Sequence, residues 1–263
     1  MLSFQIRSAR CKAVVILITG VLSALTSNLN GQGNLTKPFL SPHSADPPAA
    51  QFSRVASEMQ SEDAAIRSQR DQRWRGIAPI PLEDPGTNGE SGAANTAETF
   101  IDVVGPAPEA LPIKTSEIVA IGHVTSAQGF VTPDKSGVYS EFSITVERVL
   151  KAKGTVGQTV IGIRMGGQVH FPSGHVTEYL FYGVGYPKIG PSYLFFLHQQ
   201  PNSRDFGILT AYELSGTKTY AIDNVAPFIQ FDGADQVTLL KAVDTRITHD
   251  GGVPSPIEGE RAP

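Results

Sequence analysis

Apolar and polar residues alternate with a period of two over much of the chain from Thr99 onward. "FIDVVG" (Phe100 to Gly105) is short and β-branched, and Pro106, Pro108 and Pro112 then break the chain. In "SEIVAIGHVTSA", Ile118, Ala120, Gly122 and Val124 alternate with Val119, Ile121 and His123, so both faces are apolar and the strand should be central. "YSEFSITVERVLKAKG" sets Phe142, Ile144 and Val146 inward against Ser143, Thr145 and Glu147, and its phase slips at Val149-Leu150, which predicts a bulge or turn near Arg148. "GQTVIGIRM" and "HVTEYLFY" supply two further strands. Tyr193 to Leu197 is apolar on both faces, as a buried core strand would be. "FGILTAYELSGTKTYAI" reads as a hairpin closed by Ser215-Gly216. The last segment, "DGADQVTLLKAVDTRITHDGG", reads as a helix capped by Asp232, with Val237, Leu240, Val243 and Ile247 on one face and Gly251-Gly252 as its stop.

The pattern predicts a mainly β fold over residues 99–250, a small antiparallel β-barrel or sandwich with a C-terminal α-helix, followed by a disordered tail over 251–263. Residues 31–98 are rich in Gly, Asn, Ser, Pro, Ala, Gln and charge, which predicts a low-complexity, mostly disordered arm. Within it, Phe52, Val55, Met59 and Ile66 fall near one helical face that Glu62 and Asp63 interrupt, so the expectation is a short, marginal helix. Trp74, the only tryptophan, ends that stretch, and either docks on the domain, stays unordered or marks a partner-binding segment.

The start of the chain changes the picture. Arg7, Arg10 and Lys12 precede an apolar run from Ala13 to Leu25, which is shorter than the ~18 residues of a membrane span. This predicts a signal peptide over residues 1–30, cleaved between Ser23 and Gly33, and an exported bacterial protein, periplasmic or extracellular, with no stable membrane span once the signal is removed. Cleavage makes the net charge of −4 more negative and removes Cys11, the only cysteine. The mature chain then has no disulfide, thiolate nucleophile or cysteine metal ligand, and relies on core burial, which ~150 residues can supply. No basic run occurs in the folded region, so nucleic acid is not an expected partner.

"SEIVAIGHVTSA", "YSEFSITVERVLKAKGTVGQTVIGIRMGG" and "GYPKIGPSYLFFL", covering about half the chain from Ser116 to about Ile222, resemble uncharacterised bacterial exported domains with a compact barrel of the oligonucleotide/oligosaccharide-binding (OB) or netrin-like type. The resemblance implies the barrel. Netrin-like metalloprotease inhibitors act through an N-terminal cysteine and disulfides that the mature chain lacks, so it transfers no functional residue.

Candidate chemistry is sparse. In "GGQVHFPSGHVTEYL", His170 and His175 would face each other across a four-residue loop, close enough to share a zinc ion, but a site needs three or four ligands and Glu178 should point to the other face. An exposed polar hairpin tip is the first reading of this stretch and a ligand pair the second. Tyr182 and Tyr186, beside Gly183 and Gly185, are the aromatics least explained by packing and form a candidate ligand platform for a sugar or peptide. The glycines around Arg164 and Met165 read as a bulge or tight turn. Glu141, Glu147, Glu178 and Glu213 read as solvated, and His123 and His198 as hydrogen-bonded core histidines. Nucleophile-elbow, zinc-protease and phosphate-loop motifs are absent. The leading expectation is a non-enzymatic exported domain that binds an unknown protein, peptide or envelope component or serves as envelope structure. A metal-binding protein or metal-dependent hydrolase built on His170 and His175 is the alternative.

Overall fold

The computed structural model describes residues 40–51, 64–76, 82–84, 96–101, 109–201 and 203–249. The signal over 1–30 and the tail over 251–263 lie outside them. In chain order the elements are β1 (Ala49–Gln51), α1 (Ala64–Trp74), β2 (Thr96–Ile101), β3 (Ile118–Val131), β4 (Val138–Ala152), β5 (Thr159–Met165) and β6 (Gly167–His170). They continue with β7 (Val176–Phe181), β8 (Ser192–Gln199), β9 (Phe206–Ser215), β10 (Lys218–Ala221), α2 (Ala226–Ile229) and α3 (Gln236–His249). The result is a mainly β domain with a C-terminal helix.

β3 and β4 form a long antiparallel hairpin from Ile118↔Ala152 to Val131↔Val138. Its register shifts leave Leu150 and Glu147 without partners, so bulges flank Arg148, where the sequence pattern slips phase. β5 pairs antiparallel with β4, and β8 pairs antiparallel with the other side of β3. β9 pairs antiparallel with β8 and, through Gly162↔Phe206 and Ile163↔Gly207 alone, parallel with β5. The pairings therefore return on themselves in the cycle β3-β4-β5-β9-β8, with β10 hairpinned onto β9. That hairpin turns through Gly216 and Thr217, with Gly216 at φ +59°.

The doubly apolar strands have a simple cause. Tyr193, Phe195 and Leu197 of β8 pack with Phe142, Ile144 and Val146 in one core. Leu194 and Phe196, pointing the other way, pack with Leu239, Val243 and Ile247 of α3 in a second. Each strand between two layers must be apolar on both sides.

Helix α3 starts later than expected. Asp235 caps it, accepting from Val237 N at 2.9 Å, while Asp232 accepts from Ala221 N at 2.6 Å and serves β10 instead. The buried face is Leu239, Val243 and Ile247 at four-residue spacing, and Val237, two residues before Leu239 and so on the opposite side, is 72% exposed.

A second, four-stranded sheet runs β1-β6-β7-β2, the β6–β7 hairpin being flanked by two parallel strands from the N-terminal region. Ala50, Leu82, Val131, Val138, Val169 and Phe171 fill the space beneath it. Within residues 31–98, where composition predicts a mostly disordered arm with a short helix, the described residues supply β1, α1 and the start of β2. The edges of β6 and β7 offer unpaired backbone groups, and β1 and β2 satisfy them. Among the described residues no helix is long and apolar enough to cross a membrane.

Candidate functional site: a cleft beside an arginine-bearing helix

Helix α1 buries a polar face. Arg67, Arg70, Asp71 and Trp74, at i, i+3, i+4 and i+7, are at most 9% exposed, whereas Ile66, the apolar position in the expected stripe, is 40% exposed. The receiving surface comes from β3, β4, β5 and the turn before β9. Trp74 packs with Tyr139 and Ile163, flanked by Phe130, Ile161 and Met165. The Arg67 guanidinium lies 3.7 Å from the centre of the Phe130 ring, donates to Tyr139 Oη at 2.8 Å and pairs in a fork with Glu141. Arg70 forks onto Asp205 at 2.7 and 2.6 Å and reaches Glu141 Oε2 at 2.8 Å. Tyr139 donates to Asp71 Oδ1 at 2.9 Å.

This network tunes its members. Burial pushes the Tyr139 phenol up and raises the Asp71 carboxyl above its usual range. Burial also opposes ionisation of Asp205, but the hydrogen bonds and charge of Arg70, with the Ser203 hydroxyl, outweigh it and hold that carboxyl below its ordinary value. Desolvation likewise works against the charge of Arg67, and Glu141 overcomes it, so that guanidinium stays firmly protonated.

Against this helix opens a cleft of about 920 Å³, lined by Ile66 and Gln69 of α1, Glu117 before β3, Gln199 at the end of β8, and Gln200, Pro201, Ser203, Arg204 and Asp205 before β9. Its carboxylates are already held. Glu117 accepts from Gln199 N at 2.8 Å and lies 2.9 Å from His198 Nδ1. These contacts outweigh partial burial and keep Glu117 below the usual carboxylate range. The side chains of Gln69, Gln200 and Arg204 make no hydrogen bond or ion pair among the described residues, and Arg73 Nη1 at the same edge is buried without a partner while its Nη2 donates to Pro201 O at 2.7 Å. The arrangement leaves amide donors and acceptors and the Arg204 guanidinium available beside fixed carboxylates.

The residues expected from sequence lie elsewhere. His170 pairs with Val176 rather than His175, because the connection is one residue longer than expected and Phe171 N donates to His175 O at 2.9 Å. This register puts Gln168 opposite Glu178, so Glu178 shares a face with His170, correcting the expected opposite orientation. His170 Nε2 is 2.8 Å from Gln168 Oε1, Gln168 Nε2 donates to Glu178 at 3.2 Å, and Asp84 holds the hairpin tip through Ser173. Among the described residues no group of three or more His, Cys, Asp or Glu side chains is placed to hold a metal ion.

Tyr186 is corrected as well. It is fully buried, packed on Phe142, and its hydroxyl donates to Met165 O at 3.0 Å. The neighbouring Gly185 explains this: a Cβ there would stand 1.8 Å from Ile222 O, so the missing side chain lets the backbone close in and draws Tyr186 into the core. Asp223 joins the same closure, accepting from Gly185 N and pairing with buried Arg164, whose Nη2 donates at 2.8 Å. Tyr182 is 54% exposed and stands apart from the cleft-lining residues. Glu178 is buried, not solvated, and His123 and His198 lie at the surface against Glu147 and Glu117.

The helix residues were missed because a hydrophobic-period argument looks for apolar stripes. The usable signal was the spacing of Arg67, Arg70 and Asp71 from Trp74. No family model, curated protein or solved structure matches this chain.

Proposed function

We propose that this is an exported, non-enzymatic binding domain on an OB-type barrel, and that the cleft beside α1 takes an extended peptide carrying an acidic side chain. The observation that carries the reading is the set of uncommitted groups on the cleft: Gln69 and Gln200 amides to match backbone N–H and C=O, and Arg204 to meet a carboxylate. The strand cycle, with its first strand between the second and fourth and a parallel contact between third and fifth, supports the barrel assignment. In OB barrels the connection between the fourth and fifth strands contributes to ligand sites, which here corresponds to the segment from Gln200 to Asp205. That correspondence is an analogy of fold and adds to the side-chain argument. The basic start and short apolar run at residues 7–25 support export.

Panning a random-peptide library on the purified protein tests the reading. Enriched peptides carry an Asp or Glu and lose at least tenfold in affinity to an Arg204→Glu variant, since a good charge-assisted pair is worth ~1.5–3 kcal/mol. Absence of enrichment, or binders indifferent to Arg204→Glu and Gln200→Ala, rules out the cleft as the site.

A further inference from the structure

We propose that the surface built by Phe130, Tyr139, Glu141 and Asp205 is a reader for arginine-bearing helices, that α1 is its tethered occupant, and that a helix of a partner protein with the same spacing displaces it. The inference rests on the docking of α1 rather than on the uncommitted groups of the cleft, with which it shares only Asp205.

Three features point this way. First, the surface is specific for one kind of guest. Glu141 takes Arg67 in a fork and also meets Arg70, Asp205 forks onto Arg70, and the Phe130 ring lies against the Arg67 guanidinium. Planar bidentate and ring-stacked contacts select arginine over lysine. Second, the reading elements belong to the strand framework: Phe130 on β3, Tyr139 and Glu141 on β4, and Asp205 directly before β9, itself fixed by Ser203. Third, the guest is held by polar contacts rather than by an apolar stripe, with Trp74 as its one large apolar anchor. An 11-residue helix of this composition is marginal in water by itself, so the surface is what orders it.

The partner is therefore a helix presenting Arg-x-x-Arg-Asp, with an aromatic residue three positions further on. Glu141 and Asp205 reject a helix with acidic residues at the arginine positions, because a second carboxylate would be buried against them.

The protein carries its own reporter, since Trp74 is the only tryptophan and sits in the contact. The probe is a fluorescently labelled peptide of residues 64–76 with Phe at position 74. A tethered competitor has an effective concentration on the order of millimolar, so wild type binds this peptide only in that range, with Trp74 emission moving to longer wavelength as α1 is displaced. In the Arg67→Ala/Arg70→Ala protein the competitor is weakened and the peptide binds at least tenfold more tightly. The same peptide with both arginines replaced by alanine binds neither protein. Glu141→Gln/Asp205→Asn abolishes capture while Arg204→Glu leaves it intact, which separates this surface from the cleft. If wild type alone forms a species of doubled mass that excess peptide dissolves, the partner is a second copy of the chain. A folded Arg67→Ala/Arg70→Ala protein that ignores the peptide overturns the proposal. If that variant does not fold, a wild-type Trp74 signal that stays fixed at millimolar peptide overturns it equally.

Discussion

Buried charge, rather than buried carbon, distinguishes several key residues of this protein. Arg164 and Asp223 sit at 3% and 2% exposure, and together they hold the backbone of Gly185 from both its N–H and its carbonyl. Removing one partner strands the other in a dry site, so Asp223→Ala should cost about 3–5 kcal/mol in urea unfolding, while replacing both with apolar residues of similar volume should cost far less. In the local pattern Arg164 belongs to a glycine turn and Tyr186 to a candidate ligand platform. A side chain's partner across nearly sixty residues of chain leaves no local mark. The histidines teach the same lesson. One extra residue in the connection shifted the register, separated the pair, and brought Gln168 and Glu178 to His170. Adding zinc should leave the melting temperature of wild type and of the His170→Ala/His175→Ala variant unchanged; a zinc-dependent rise lost in the variant would restore the metal alternative.

At the scale of elements, the two longer helices follow opposite rules. α3 obeys the hydrophobic pattern, displaced by its true cap, so Leu239→Ala should cost about 2–5 kcal/mol, Asp235→Ala about 1 kcal/mol, and Val237→Lys no more than about 0.5 kcal/mol in chemical denaturation. α1 docks by charge and so should respond to pH. The folded carboxyl of Asp205 lies below its ordinary 3.8, so its contribution is fully present above that value and is lost as pH falls through the lower folded one. Asp71, raised by burial, works in the other direction, its contribution being present in acid and fading as pH rises through its raised value. Trp74 emission should therefore stay constant from neutral pH down to about 4 and move to longer wavelength below it, and Asp205→Asn should remove that acid step. Strands were more legible than α1 because period two survives any partner. The alternation around Phe142, Ile144 and Val146, the slip at Arg148 and the doubly apolar run at Leu194 to Phe196 all appear in the structure where the pattern put them.

Across the whole molecule, mainly β character and a closing helix could be read from the chain, whereas the second sheet could not. Its outer strands β1 and β2 come from a region whose composition argues against order, and they are recruited by edges that exist only once β6 and β7 have paired. Uneven closure of the strand cycle has a consequence in time. The β3–β4 hairpin joins strands adjacent in sequence, whereas closing the cycle takes the β3–β8 ladder, which pairs Ile118 with Leu197, and the β5–β9 contact of two residue pairs. Pairing β3 with β8 must close a long loop before its contacts form, and the two-pair β5–β9 contact returns few hydrogen bonds, so closure of the cycle should come late in refolding. The Arg70 bridge from Glu141 on β4 to Asp205 at the head of β9 can form only after that closure. In stopped-flow refolding, the far-ultraviolet signal of the strands should therefore mature before Trp74 reaches its native emission, making the burial of a single indole the clock for the final step of assembly.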